Sequence, residues 1–131
     1  MSDRKFRFGV VAAGASSGQE WLDRARRLED MGFATVVVPD GLQHTLAPFP
    51  ALAAAAAATR SLRVGTYVIA NDYRHPVMLA KEAATLGLLS GGRLELGLGA
   101  GRPSEPAGPR PPRTTACWGC RSMPAAFAWT A

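Results

Sequence analysis

The residues of this sequence that could do chemistry follow four apolar segments, each predicted to be a β-strand. In chain order they are Ala13-Gly14-Ala15, Pro39-Asp40-Gly41, Ala70-Asn71-Asp72 and Gly99-Ala100-Gly101. In parallel α/β folds a ligand binds at the carboxyl ends of the strands. Glycine lets the backbone approach such a ligand closely, and a carboxylate anchors a polar group. Glycine and aspartate are also ordinary loop residues. Spacing alone therefore supports a ligand site and ordinary loops equally.

The loop at residues 14–18 offers a second hypothesis, a small nucleotide-binding or interaction module. It precedes a predicted helix, and Asp40 ends the second predicted strand. In dinucleotide folds a helix N-terminus binds the pyrophosphate and an acid binds the ribose. However, the Gly-x-Gly-x-x-Gly pattern is absent, and Gly97-Leu98-Gly99-Ala100-Gly101 precedes a proline instead of a helix.

Histidine and cysteine predict no metal site. His44 and His75 are the only two histidines, and neither lies in a cluster with the spacing of metal ligands. His75 precedes Pro76, so we interpret it as a helix-entry residue and not as a base. Cys117-Trp118-Gly119-Cys120 has redox spacing but lacks the flanking strand and helix on which that chemistry depends. We interpret this spacing as coincidence.

The elements that must position these residues form a regular pattern. The four strands are predicted at residues 6–12, 34–38, 63–69 and 94–98. A helix is predicted in each interval: Ser17-Gly18-Gln19-Glu20 matches a capping box, and Pro48 and Pro76 open the next two helices. A spacing of roughly thirty residues is typical of repeated βα units around a parallel sheet. It predicts an α/β fold, either a doubly wound sheet or a closed barrel.

Composition describes one globular domain of 131 residues. No apolar run reaches the ~18 to 20 residues of a membrane-spanning helix, and no signal-peptide pattern precedes the first strand. We therefore expect a cytoplasmic protein that does not bind membranes. The formal charge is +5, but residues 102–131 hold four arginines against Glu105 alone. The body of the chain thus has no basic face for nucleic acid.

Residues 6–101 contain several segments that resemble a known family. They are Phe8-Gly9-Val10, Leu28-Glu29-Asp30-Met31-Gly32-Phe33, Val37-Val38-Pro39-Asp40, Tyr73-Arg74-His75-Pro76 and the runs at 62–69, 80–86 and 89–101. The sequence is similar to the luciferase-like monooxygenase superfamily, and the run from the third to the fourth strand resembles its branch that uses coenzyme F420, an 8-hydroxy-5-deazaflavin. The resemblance implies the N-terminal half of a (β/α)8 barrel, with about four parallel strands. It also implies hydride transfer to or from a small-molecule substrate, with an FMN-dependent monooxygenase as the alternative.

The resemblance assigns cofactor-binding roles to two segments. Relatives have a non-prolyl cis peptide behind the cofactor ring, and Tyr67–Val68 is the matching bond, followed by Ile69. The glycine-rich end of the fourth strand lies near the ring and the phosphate tail in relatives. It corresponds here to Gly99, Ala100 and Gly101.

Catalytic roles are implied for two further residues. The aspartate that ends the second strand lies near the polar edge of the ring or the substrate in relatives, and it corresponds to Asp40. Many relatives have a histidine directly after it, whereas this chain has Gly41, and the next histidine is His44. Asp40 and His44 are therefore the candidate catalytic residues, and Asp40 is also a candidate cofactor ligand.

Residues 102–131 do not continue the family pattern. They hold six of the ten prolines, so we expect a disordered Pro/Arg-rich tail after a partial barrel domain at 1–101. A shifted reading frame is one hypothesis for its origin. Since a complete barrel needs roughly 250 residues, strand edges are expected to be exposed and could join copies into a homo-oligomer. A truncated, non-functional product is the alternative to an enzyme.

Overall fold

The computed structural model of the chain describes residues 6–100 and the backbone of a short strand near the C-terminus. The strands are β1 (Gly9–Val11), β2 (Thr35–Val38), β3 (Arg63–Thr66), β4 (Ile69–Ala70), β5 (Leu94–Gly99) and β6 (Ala128–Trp129). The helices are α1 (Gly18–Asp30), α2 (Pro48–Ala58) and α3 (Pro76–Leu89), with a 3-10 turn at Asn71–Tyr73. The predicted strands and helices are confirmed, except that the third predicted strand is divided into β3 and β4.

The first five strands form a parallel sheet in the order β1-β2-β3-β5-β4. Both β3 and β4 pair with β5, because β4 continues β3 beyond a break in the strand. The order across the sheet thus follows the order along the chain, with β1 at an edge. A doubly wound sheet would reverse its strand order at an internal switch point. The topology is therefore that of the first part of a (β/α)8 barrel.

The core lies between the sheet and its helices. The helices lie side by side, because α1 contacts α2 and α2 contacts α3. The fully buried side chains include Val36, Val38, Leu52, Leu62, Val64 and Ile69. Successive side chains of a strand point to opposite faces, so Val11 faces away from this core and is 56% exposed. That second face is the one that would point into a closed barrel.

Helix α1 begins at the capping box that the sequence predicts. The Ser17 hydroxyl accepts a hydrogen bond from the Glu20 amide at 3.1 Å, which satisfies one of the free amides of the first turn. The helix stops before Gly32, whose φ of 82° is a left-handed value that favours glycine. Trp21 attaches α1 to α2, since its indole nitrogen donates to the Ala51 carbonyl at 2.7 Å.

The strand β6 differs from the irregular tail that the sequence predicts. It lies antiparallel to β5, with Trp129 opposite Leu96 and Ala128 opposite Gly97. The edge of β5 carries backbone groups that a short extended segment can pair with, whatever its sequence. The other tail residues, including Cys117 and Cys120, lie outside the described residues. Among the described residues, no helix is long and apolar enough to cross a membrane.

Candidate functional site

Asp40 follows β2 at the carboxyl end of the sheet, and its side chain is 6% exposed. Its Oδ2 atom accepts a hydrogen bond from the Ala70 amide at 3.0 Å and another from the Arg74 guanidinium. A buried carboxylate needs such partners, because burying an unpaired charge is costly. The two hydrogen bonds attach the end of β2 to the end of β4 and to the segment that follows it.

Arg74 is the member of this site that the sequence analysis did not identify. It lies between the 3-10 turn and α3, and its side chain is 21% exposed. The guanidinium carbon lies 5.8 Å from the centroid of the Phe49 ring, and Nε lies 3.8 Å from the Glu82 carboxylate. The sequence does contain a signal for this residue: Arg74 shortly follows the third predicted strand and so lies at the same edge of the sheet as Asp40.

The break between β3 and β4 is a non-prolyl cis peptide between Tyr67 and Val68, which confirms the bond expected from the family resemblance. The Tyr67 amide donates to the Val38 carbonyl at 3.0 Å, so the break remains attached to β2. The Tyr67 side chain is 64% exposed and that of Val68 is 41% exposed. The break therefore presents a partly apolar surface at the carboxyl end of the sheet.

The glycines of β5 provide space for this break. A Cβ on Gly99 would lie 2.5 Å from Cγ2 of Val68, and a Cβ on Gly97 would lie 2.5 Å from the Thr66 carbonyl oxygen. Both distances are far shorter than real contacts of a Cβ atom. Glycine at these positions therefore has a packing role, which the sequence analysis did not foresee for Gly99.

Three other predicted cofactor ligands have different surroundings. The Ile69 side chain is fully buried in the core, so only its backbone can face a ligand. Ala100 is exposed directly after β5, and Gly101 lies outside the described residues. Contact of these residues with a cofactor remains a prediction.

His44 is half-buried in the loop after β2. Its amide donates to the Gly41 carbonyl at 3.0 Å, and its ring Nε2 lies 3.3 Å from the side-chain nitrogen of Gln43. Within residues 6–100, no hydrogen bond joins His44 to Asp40. The two candidate catalytic residues are therefore not joined by a hydrogen bond in the described part of the chain.

Side chains of α1 form hydrogen bonds with the loop at residues 14–18. The Ser16 amide and hydroxyl both donate to the Glu20 carboxylate, the amide at 2.8 Å, and Arg24 donates to the Gly14 carbonyl at 2.6 Å. The hydrogen bonds from the Ser16 side chain and backbone lower the pKa of Glu20. A negative charge thus lies where a phosphate would have to bind. This geometry argues against the nucleotide-binding hypothesis.

The chemistry of the site follows from these contacts. It places a paired carboxylate, an exposed strand break and a glycine backbone together at the carboxyl end of the sheet. Among the described residues, no group of three or more histidine, cysteine or acidic side chains is placed to hold a metal ion.

Comparison with known proteins identifies the family of this chain. Residues 6–109 match the family model of the luciferase-like monooxygenases. The chain is 38% identical over 104 residues to the F420-dependent glucose-6-phosphate dehydrogenase of Microbacterium testaceum, covering 72% of this chain and 31% of that protein.

Two solved structures share the fold. The coenzyme F420 dependent tetrahydromethanopterin reductase of Methanopyrus kandleri superposes with a TM-score of 0.71 at 25% identity, over 78% of this chain and 29% of that one. The oxygenating component of 3,6-diketocamphane monooxygenase from Pseudomonas putida, in complex with FMN, gives a TM-score of 0.66 at 22% identity, over 75% and 30%.

The chain spans about a third of the length of the curated relatives it matches. The matched region includes Asp40, the break at Tyr67 and Val68, and all of β5. Together with the strand order of a barrel, this match shows that the chain belongs to the luciferase-like monooxygenase family.

Proposed function

We propose that this chain is the amino-terminal part of an oxidoreductase that uses coenzyme F420 to transfer a hydride to or from a small organic substrate. The observation that carries the proposal is the exposed break at Tyr67 and Val68, which lies between the buried Asp40 and the glycine backbone of β5. Two of the similar proteins, the dehydrogenase and the reductase described above, are named for coenzyme F420.

Each part of the site has a separate role in this proposal. Coenzyme F420, when bound, supplies a ring carbon, C5, that accepts or donates the hydride. The exposed side of Tyr67 and Val68 provides the surface for one face of the ring. Asp40 holds this surface on the side of β2 through the Ala70 amide, and Gly99, which has no side chain, lets it lie against β5 on the other side. Because Oδ2 of Asp40 accepts two hydrogen bonds, we assign Asp40 an anchoring role and not that of a proton donor.

FMN is the competing cofactor. It is bound by the 3,6-diketocamphane monooxygenase, whose identity of 22% shows the shared fold alone. Both ring systems are flat and could lie against the same break. The preference for coenzyme F420 depends on the names of the more similar proteins, so the experiment must compare the two cofactors directly.

The substrate is proposed only as a small organic molecule. Glucose 6-phosphate is the substrate named for the Microbacterium relative. The chain covers 31% of that relative, so this specificity does not extend to the present protein without a measurement of its own.

The proposal is tested by titrating the whole chain with coenzyme F420 and, separately, with FMN while following the cofactor fluorescence. We expect saturable binding that is tighter for coenzyme F420. Tyr67→Ala is expected to weaken this binding about fivefold, since an aromatic contact contributes roughly 1 kcal/mol. Leu88→Ala is the matched control, because Leu88 is an exposed apolar residue of α3 (81% exposed) and lies outside the site.

Each outcome has a definite meaning. A folded chain, verified by circular dichroism, that binds neither cofactor would overturn the proposal in favour of a truncated, non-functional product. Tighter binding of FMN would replace coenzyme F420 in the proposal. Equal weakening by Tyr67→Ala and Leu88→Ala would remove the strand break from the site.

A further inference from the structure

We propose that Arg74 is a positioning residue of the cofactor site, which fixes the Asp40 carboxylate and thereby holds the strand break against the end of β2. The role of the site in binding a cofactor rests on the proposed function above. The role of Arg74 rests on its own contacts, which the sequence did not indicate.

The side chain of Arg74 joins three parts of the fold. Its guanidinium donates to Asp40 after β2, lies over the ring of Phe49 at the start of α2, and approaches Glu82 within α3. The Asp40 carboxylate in turn accepts the Ala70 amide of β4 at 3.0 Å. Arg74 therefore connects the helical layer to Ala70, the last residue of β4, through one carboxylate.

The two carboxylates beside Arg74 differ in their surroundings. The Asp40 side chain is 6% exposed, whereas that of Glu82 is 44% exposed and lies 3.8 Å from Nε. Solvent-exposed ion pairs contribute little, about 0 to 1 kcal/mol. Removing the partner of a buried charge costs far more, because the charge is left uncompensated. The contact with Asp40 is therefore the one that determines the position of Arg74.

Arginine suits this position better than lysine. Its planar guanidinium can donate to Asp40 while its face lies over the Phe49 ring. A lysine would keep the charge but lose the planar fork. Asp40 accepts hydrogen bonds from Arg74 and from the Ala70 amide. Without the arginine only the Ala70 amide would remain of these two donors. We then expect the Asp40 side chain to turn toward solvent and to break its hydrogen bond with that amide.

The first test measures hydrogen exchange of the Ala70 amide by NMR in the whole chain, without any cofactor. Arg74→Met is expected to accelerate this exchange about tenfold or more, since a hydrogen bond to a charged group contributes roughly 1.5 to 3 kcal/mol. Arg74→Lys is expected to cause a smaller acceleration. Glu82→Gln is the matched control, because it alters the exposed partner of the same arginine, and it is expected to leave the exchange unchanged.

The second test measures coenzyme F420 binding in a double-mutant cycle. Arg74→Met and Asp40→Asn are each expected to weaken binding about tenfold, and the double variant no further, because Arg74 acts through Asp40. A loss in the double variant equal to the product of the single losses would overturn the proposal. If the ion pair were purely structural, the variants would lower the free energy of unfolding, but their effects on binding would not be coupled in this way.

The two tests separate the failure of this proposal from that of the proposed function. If the wild-type chain does not bind coenzyme F420, the proposed function fails, and the exchange of the Ala70 amide still decides the role of Arg74. Unchanged exchange in Arg74→Met would overturn that role even if the cofactor binds. Should Arg74→Met fail to fold, Arg74→Lys takes its place, and unchanged exchange at Ala70 in that variant overturns the proposal.

Discussion

Gly99 lies so close to Val68 that a Cβ atom on the glycine would stand 2.5 Å from Cγ2 of the valine. The valine belongs to the strand break, and the glycine ends β5. Backbone pairing of Ala70 with Gly99 holds the two segments together at the same point. The absence of a side chain at Gly99 is therefore a condition for the break to lie against β5.

Replacing this glycine tests the packing directly. Gly99→Ala is expected to lower the free energy of unfolding by about 1 to 3 kcal/mol, the usual cost of overpacking, as measured by urea denaturation. Gly87→Ala is the matched control, because no described atom lies within 4 Å of its added Cβ. Gly87 lies in the last turn of α3, so this control is expected to leave stability unchanged or to raise it by up to about 0.5 kcal/mol. If Gly99→Ala is as stable as the wild type, Val68 moves aside without cost.

His75 caps the start of α3, as the sequence predicted for a helix-entry residue. Its Nδ1 accepts a hydrogen bond from the Val77 amide at 3.3 Å, and Pro76 follows in the first turn. His75→Ala removes this acceptor and is expected to lower the free energy of unfolding by about 1 kcal/mol, as loss of a helix cap does. His75→Asn supplies another acceptor and is expected to remain near wild type. Equal losses in both variants in thermal unfolding would contradict the capping role.

Local patterns explain which parts of the fold could be predicted. The start of α1 follows from Ser17 and Glu20, and the start of α3 from Pro76, because capping and proline act within one helical turn. The position of Asp40 could be predicted because it directly follows a continuous apolar run at 34–38, which is typical of a buried parallel strand. These signals depend on near neighbours in the sequence.

Contacts between distant segments could not be predicted in this way. Arg74 and Asp40 are separated by 34 residues, and no periodicity of the segment around Arg74 indicates its partner. The cis bond at Tyr67–Val68 was expected only from the family resemblance, since no proline marks it. The packing of Gly99 on Val68 depends on the path of two strands. The candidate site was therefore located from sequence, but its internal contacts were not.

Arg93 joins the end of α2, the loop before β3 and the end of α3. Its guanidinium donates to the carbonyl groups of Ala56 at 2.7 Å, Leu62 at 2.8 Å and Ser90 at 2.7 Å. A cation near the last carbonyls of a helix is favourable, and α2 ends at Ala58.

Removing this cation leaves several carbonyl groups without a donor. Arg93→Met is expected to lower the free energy of unfolding by about 2 kcal/mol or more, as measured by chemical denaturation. Arg26→Met is the control, because within residues 6–100 Arg26 pairs only with the exposed Asp23 on the same helix, and exposed pairs of this kind contribute about 0.3 to 0.5 kcal/mol. Similar losses in the two variants would show that the contacts of Arg93 contribute no more than a surface pair.

Glu29 connects the end of α1 to the loop before β3. Its carboxylate accepts hydrogen bonds from the backbone amides of Arg60 at 2.9 Å, Ser61 at 2.5 Å and Leu62 at 2.9 Å, and from the Ser61 hydroxyl at 2.9 Å. Burial raises the pKa of this carboxyl, but the hydrogen bonds from Ser61, Leu62 and Arg60 together outweigh burial. They lower the pKa of Glu29 from 4.5 to about 2.

This pKa predicts a specific dependence of stability on pH. Because the folded pKa of Glu29 is about 2 and its ordinary value is 4.5, its contribution is complete above pH 4.5 and is lost as the pH falls toward 2. Glu29→Gln is therefore expected to be less stable than wild type by about 1 to 3 kcal/mol at neutral pH, and the difference is expected to shrink below pH 4.5. Urea denaturation at several pH values measures it, with Asp30→Asn as the control for loss of a neighbouring exposed carboxylate. A difference that stays constant with pH would show that ionisation of Glu29 does not contribute.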